Sequence, residues 1–310
     1  MKFKKALVTG SSGFLGSHIA DALDEAGYQV TLFDINKSKY KRESQNEIIG
    51  DILNYKEVLD AVAGHDVVYH FAAQADIESS GAAPSETIKA NIIGTQNVLD
   101  AALKEEISRL IFASTIYVYS DLGSFYRVSK QACEKIIEEY YKEFGLEYTI
   151  LRYGSLYGSR ANHFNSITNM LTQALTDKKI IRRGDGEEIR EYIHVKDASE
   201  LSVKALEDEF KNKHLIISGN QKVKVKDFLT MIKEMLKGDI DIIFGEEKEL
   251  HHYQITPYSY KPEIAKKLVP ENYYDLGQGV LDLLYSINED LHEKNQKINI
   301  SLRKRKNENN

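Results

Sequence analysis

Tyr126 and Lys130 stand four residues apart in Ser124-Phe-Tyr-Arg-Val-Ser-Lys130, and Thr115 lies eleven residues upstream of the tyrosine. On a helix, residues i and i+4 share a face, so the Lys130 ammonium can lie beside the Tyr126 hydroxyl and favour its ionised form. An unperturbed phenol titrates at about 10, too high for an efficient general base near neutral pH, so the neighbouring charge matters. A hydroxyl from Thr115 could hold a substrate alcohol while Tyr126 removes its proton. An alcohol oxidised in this way needs a hydride acceptor.

The start of the chain offers a place for one. Lys5-Ala-Leu-Val-Thr-Gly10 reads as a short buried strand, followed by Ser11-Ser-Gly13-Phe14-Leu15-Gly16 and a helical pattern through Ala26. Glycines at 10, 13 and 16 allow a tight turn, close backbone approach to a diphosphate and close packing of helix on strand. The helix N-terminus would then face the phosphates with unpaired N–H groups. A second apolar strand, Val30-Thr-Leu-Phe-Asp34, ends in an acid eighteen residues after Gly16. That carboxylate can take the hydroxyls of an adenosine ribose and would repel a 2′-phosphate, which favours NAD over NADP. Strand before, helix after and acid at the next strand end are the context that turns a glycine triplet into a dinucleotide site.

Strands and helices alternate through the first half. Strands are expected at 46–49, 66–72, 109–113 and 147–152, and helices at 55–62, from Pro84 through Asn91 to Leu103, and at 126–144. Short apolar strands between amphipathic helices argue for an α/β fold, a doubly wound parallel (Rossmann) sheet with ligands at the carboxyl ends of its strands. Past Arg152 the rhythm changes. A turn-rich stretch at 153–160, a helix at about 165–176, a basic hairpin at 182–190, strands at 191–195 and 214–218 and a helix at 225–236 suggest a smaller, discontinuous lobe over the sheet. The expected division is 1–152 plus about 191–219 for the dinucleotide domain, and about 153–190 with 220–295 for the substrate lobe. The charged stretch 296–310 reads as a frayed tail.

Composition sets limits. The 310 residues, 42% hydrophobic and 28% charged with a formal charge of −6, describe an ordinary globular chain with no reason to bind nucleic acid or an anionic membrane. One cysteine, Cys133, excludes an internal disulfide and a cysteine-based metal site, and is read as a buried structural thiol. His163, His194, His251 and His252 lack paired carboxylates at ligand spacing, so no metal is expected. Lys2, Lys4 and Lys5 precede only Ala6-Leu-Val8, too short for an export signal or a membrane span, and the expected compartment is the cytoplasm.

These residues resemble, in order along about residues 5–240, the extended short-chain dehydrogenase/reductases of the nucleotide-sugar epimerase and dehydratase type. The motifs are Thr9-Gly-Ser-Ser-Gly-Phe-Leu-Gly16, Gly50-Asp-Ile52, His70-Phe-Ala-Ala73, Asn91-Ile-Ile-Gly-Thr95, Ser114-Thr115, Tyr126 with Lys130, Leu151-Arg-Tyr153 and Arg190-Glu-Tyr-Ile-His-Val195. The resemblance implies that Asp51 and Ile52 flank the adenine and that Phe71, Ala72 and Ala73 line the dinucleotide. It places Asn91 near the active site and Tyr153 beside the nicotinamide. Lys130 would bond the nicotinamide ribose while lowering the Tyr126 pKa. Arg190 would clamp the diphosphate of a nucleotide-diphosphate sugar, a task suited to a guanidinium fork, with Asn165 in reach. Relatives pair through the helices beginning near Pro84 and Tyr126, so a homodimer is expected.

The resemblance also bears on the reaction. Dehydratases of this type carry an acidic pair after the threonine and decarboxylases a glutamate; here Ile116 and Tyr117 stand there, so both reactions are disfavoured. What remains is oxidation of the sugar C4 alcohol, with Thr115, Tyr126 and Lys130 as catalytic residues and NAD as hydride acceptor. If the 4-keto sugar takes the hydride back on its other face, the enzyme is a nucleotide-sugar 4-epimerase. If the ketone leaves, it is a net 4-dehydrogenase, for instance of an NDP-heptose. A non-catalytic dinucleotide-binding regulator is the third possibility, and the presence of both Tyr126 and Lys130 speaks against it. The approach from Thr115 to Tyr126 is shorter than in the better-known epimerases, which trims one wall of the sugar pocket and suits a larger sugar. Ser155 replaces a family asparagine that contacts the substrate phosphates, and a second C-terminal arginine has no counterpart in Thr256-Pro-Tyr-Ser-Tyr-Lys-Pro262.

Overall fold

A computed structural model describes residues 3–245, 266–268 and 273–307; His251, His252 and the stretch 256–262 lie outside them. The apolar runs of the first half become β1 (Lys5–Thr9), β2 (Gln29–Asp34), β3 (Asn46–Ile49), β4 (Val67–His70), β5 (Arg109–Thr115) and β6 (Tyr148–Tyr153). Between them run α1 (Phe14–Glu25), α2 (Tyr55–Val62), α3 (Ile77–Ala82), α4 (Pro84–Ile88), α5 (Gly94–Lys104) and α6 (Ser124–Phe144). The later elements are β7 (Ser155–Tyr157), α7 (Ser166–Asp177), β8 (Lys179–Arg183), β9 (Ile189–Arg190), β10 (Tyr192–His194), α8 (Val195–Lys204) and β11 (Lys213–Ile217). They are followed by β12 (Val223–Lys224), α9 (Val225–Met235), β13 (Asp241–Gly245), β14 (Lys266–Leu268) and α10 (Leu276–Asn307).

One sheet has the order β14-β11-β6-β5-β4-β1-β2-β3, and every pairing in it is parallel. This is the doubly wound fold that the alternation predicts. On one face Ile19 and Leu23 of α1 and Ala198 and Leu201 of α8 pack with Val8, Val30 and Tyr69. On the other, Val58, Val98, Leu99 and Ile137 from α2, α5 and α6 pack with Leu7, Phe112 and Ile150. Burying both faces is what makes the strands read as continuous apolar runs. The strand order reverses between β1 and β4, and a crevice opens there at their carboxyl ends.

Several elements depart from the sequence reading. The helix expected from Pro84 to Leu103 is α4 and α5 joined through a π-turn at Lys89–Ile93, which contains Asn91. The basic stretch at 182–190 is not a hairpin, although Gly184 and Gly186 both have positive φ. β8 pairs in parallel with β13 after the α9 crossover, and β9 pairs with β12, because Ile180 of β8 belongs to a second core with Leu171, Phe228 and Ile232. Of the stretch 191–219, β11 pairs with β6 in the main sheet, whereas β10 pairs with β7 outside it. The segment read as a frayed tail from residue 296 continues α10 as far as Asn307. From Val280 to that point it holds neither glycine nor proline, and leucine and lysine are among its commonest residues, so no strong helix breaker interrupts it.

Candidate active site

The carboxyl ends of β1, β4, β5 and β6 border a cleft of about 1320 Å³. At one end the turn after β1 approaches the chain after β4 closely. Gly10 sits at φ +69°, and a Cβ there would fall 2.5 Å from the Ala72 backbone nitrogen; one at Gly16 would collide with the Gly10 carbonyl oxygen. No side chain caps α1, whose N-cap is Gly13, and Phe14, Leu15 and Gly16 of its first turn line the cleft. The Asp34 carboxylate accepts the Ser12 N–H at 3.0 Å and the Asn36 N–H at 2.9 Å, with lone pairs left over. Asp51, Ile52, Phe71, Ala72 and Ala73 complete this end. The Thr9 hydroxyl accepts the N–H groups of Phe71 and Ala72, each at 3.2 Å, and so fixes that wall.

Thr115, Tyr126 and Lys130 line the middle of the same cleft. Thr115 ends β5, and its hydroxyl accepts the Tyr117 N–H at 3.2 Å. That leaves its hydrogen for the Tyr126 phenol. A 3-10 turn at Ile116–Tyr119 and Gly123, at φ +106°, carry the chain from Thr115 into α6. Lys130 is buried; its Nζ donates to the Ala113 carbonyl at 2.8 Å and lies 6.0 Å from the centroid of the Tyr126 ring. Burial pushes the phenol up to about 12 despite the bond from Thr115, and burial brings the Lys130 ammonium down to about 8. The two side chains share a face of α6, and desolvation of the phenol outweighs the bond from Thr115.

The far end belongs to the second lobe. Ser155 of β7, Asn165 and Arg190 line it. Asn165 is the N-cap of α7, its Oδ1 accepting the Thr168 N–H at 3.2 Å, and its Nδ2 donates to the Leu156 carbonyl at 2.9 Å. Arg190 is buried, and its Nη1 donates to the Ile189 carbonyl at 3.2 Å.

A family model described as the NAD dependent epimerase/dehydratase family matches residues 6–218. The chain belongs to that family. It is 29% identical over 292 residues to a UDP-N-acetyl-alpha-D-glucosaminuronate decarboxylase of Bacillus cytotoxicus, spanning 85% of this chain and 90% of the relative. It is 30% identical over 296 residues, 84% of this chain and 94% of the relative, to a Methanocaldococcus jannaschii protein provisionally assigned as a UDP-glucose 4-epimerase. Among solved structures it resembles the Thermotoga maritima UDP-glucose 4-epimerase with UDP-glucose, at a TM-score of 0.81 and 24% identity, over 93% of this chain and 99% of that one.

As a member of the NAD dependent epimerase/dehydratase family, the protein uses NAD. The glycine turn fits such a group, since Gly10 and Gly16 leave no room for side chains where a diphosphate would approach the backbone. Asn91 and Tyr153, which the resemblance places near the active site, are held by hydrogen bonds to their neighbours. Asn91 does not line the cleft: it is buried in the π-turn, where its amide accepts the Gln74 N–H at 2.7 Å and donates to the Gln74 carbonyl and the Ser129 hydroxyl. The π-turn directs that side chain inward, making Asn91 a brace for the wall at Gln74. Tyr153 does line the cleft, but its hydroxyl is bonded to Ser202 of α8 at 2.7 Å, so only its ring is available there. Cys133 is buried and its thiol donates to the Asn91 carbonyl. Cleft residues that the sequence did not offer as candidates include Tyr117, for which the lone signal was its place after Thr115, and Arg182, ion-paired with Glu188. Among the described residues no group of three or more His, Cys, Asp or Glu could hold a metal ion, and no helix is long and apolar enough to cross a membrane.

Proposed function

We propose that this protein is an NAD-dependent nucleotide-sugar 4-epimerase. The observation that carries the reading is Thr115, Tyr126 and Lys130 lining one cleft, with no carboxylate at the two positions that follow Thr115. Thr115 and Tyr126 hold the sugar C4 hydroxyl, and Tyr126 takes its proton as the C4 hydride leaves. NAD, held by the glycine turn at Gly10, Gly13 and Gly16, would supply the acceptor for that hydride and the donor that returns it to the opposite face of the 4-keto sugar. Tyr126 then returns its proton to the new alkoxide, so atoms and electrons balance with no outside oxidant. A phenol held near about 12 is almost wholly protonated at neutral pH, and the positive charge of Lys130 on the same helix face would offset part of the cost of ionisation.

The remaining cleft residues support the same assignment. Gly10, Gly13, Phe14, Leu15 and Gly16 would cradle the NAD diphosphate, Asp34 the adenosine ribose, and Asp51 and Ile52 the adenine. Phe71, Ala72, Ala73 and the Tyr153 ring would flank the nicotinamide half. Arg190 suits a substrate diphosphate because a planar fork matches two oxygens at once. Ser155 and Asn165 would complete that end. Ile88 of α4 and Phe125 and Val128 of α6 are exposed apolar side chains, which favours a homodimer built on these helices.

The test is incubation of the purified protein with NAD and a panel of UDP- and dTDP-sugars, followed by proton NMR of the sugar and absorbance of NADH. Appearance of the C4 epimer without net NADH is the expected result. NADH accumulating in step with a keto sugar would replace the reading with net 4-dehydrogenation. NAD binding without turnover of any sugar would leave the regulator.

A further inference from the structure

A buried polar cluster that this chemistry leaves unused lies behind β5. Ser114, Glu134 and Arg152 are each no more than 5% exposed. The Arg152 guanidinium grips Glu134 with two nitrogens, Nε to Oε1 at 3.0 Å and Nη2 to Oε2 at 2.6 Å. Its Nη1 donates to the Tyr119 hydroxyl, and the Ser114 hydroxyl donates to Glu134 Oε1. The cost of desolvating a buried ion pair largely offsets its attraction, so net stability is a poor account of it.

Its position offers a better one. Glu134 lies one helical turn beyond Lys130 on the same face of α6. Ser114, which it holds, directly precedes Thr115 and pairs with Arg152 across the β5–β6 register. One carboxylate thus sits a helical turn from Lys130 on the same face of α6 and is tied to the strand end that carries the threonine. We propose that Glu134, clamped by Arg152, is a positioning residue of this site: it is the charge partner of Lys130 and fixes the end of β5 behind Thr115. The proposal rests on the reading of Thr115, Tyr126 and Lys130 given above.

The surroundings of Lys130 leave Glu134 this role. From β5 it meets the Ala113 carbonyl and the Phe112 ring, from β4 His70, and from α6 Tyr126, Cys133 and Glu134. His70 is neutral near physiological pH, brought down to about 3 by burial and by Lys130. Burial raises the Cys133 thiol, which keeps it uncharged as well. Against the dominant effect of burial, Cys133 and Glu134 act to keep Lys130 protonated, and with the thiol neutral the work falls to the carboxylate.

The experiment is competitive acetylation of Lys130 with acetic anhydride across a pH series on the full chain, read by peptide mass spectrometry, which needs no substrate. Wild type is expected to titrate near about 8, Glu134→Asp with it, and Glu134→Gln about one pH unit lower. The double variant Glu134→Gln with Arg152→Met removes the guanidinium that Glu134→Gln alone would strand, and it too should titrate lower. A folded Glu134→Gln or double variant that titrates with wild type would overturn the proposal. In turnover, the basic limb of kcat should move down with the labelling midpoint while KM for the nucleotide sugar stays put. If wild type turns over no sugar, the proposed function fails while the labelling still decides the part of Glu134.

Discussion

Tyr126 must lose its proton in surroundings that resist the loss. The phenol is pushed up to about 12 by burial, and the group that acts the other way is the Thr115 hydroxyl. Removing only the hydroxyl separates chemistry from binding, because the ring still fills its place in the cleft wall. Tyr126→Phe is expected to lower the rate of hydride transfer by ~10²–10⁴ while leaving NAD affinity within about twofold. Single-turnover formation of NADH and calorimetric titration with NAD measure the two quantities. A variant that transfers hydride at the wild-type rate would mean that another group is the base. The i, i+4 spacing made Tyr126 and Lys130 legible as a pair. Their electrostatics were not, since burial decides the balance and spacing carries no information about depth.

At the scale of elements, the turn between β1 and α1 works because three backbones meet where side chains cannot fit. A methyl at Gly16 would run into the Gly10 carbonyl, and neither segment can yield without moving β1 or α1. Gly16→Ala should therefore destabilise the fold by ~1–3 kcal/mol, as overpacking does, and weaken NAD binding at least roughly tenfold. Gly64, at φ +74° with open space around it, is the control: Gly64→Ala should cost about 1 kcal/mol through backbone strain and leave NAD binding alone. Thermal unfolding with and without NAD reads both variants, and equal NAD affinity in the two would remove this turn from the binding site. The same turn was visible in the sequence because strand, glycines, helix and acid follow in a fixed order. The second lobe was not: β9, β10 and β12 are two or three residues long, and β8 finds its partner β13 only after α9 intervenes. Nor does the sequence mark the π-turn at Lys89–Ile93, which turns the Asn91 amide to Gln74 and Ser129.

Over the whole molecule, buried histidines link stability to pH. Burial holds His70 down at about 3 and His194 down at about 4, while in the unfolded chain both titrate near 6.5. Below that value the unfolded chain binds protons that the native protein refuses, so stability rises with pH across this window and is lost as pH falls from 6.5 toward 4. Each histidine contributes a slope of up to about 1.4 kcal/mol per pH unit, to be measured by urea unfolding at pH 7, 6 and 5. A flat stability between pH 7 and 5 would mean that neither ring is kept neutral. The outer surface carries a further expectation. Phe125 and Val128, three residues apart on α6, are 40% and 45% exposed, and Ile88 and Ile93 on the neighbouring helical stretch are 42% and 44% exposed. Apolar groups at this spacing form a stripe that a second copy of the same helices can cover about a two-fold axis, each side burying what the other exposes. A charge in the centre of such a stripe is desolvated in the dimer but not in the monomer, so Val128→Glu should shift the protein from dimer to monomer. Because Val128 is solvent-exposed in the isolated chain, the melting temperature of the monomer should change little. Sedimentation velocity of wild type and variant at matched concentrations decides it: a wild type that sediments as a monomer, or a variant that remains dimeric, would remove this face as the interface.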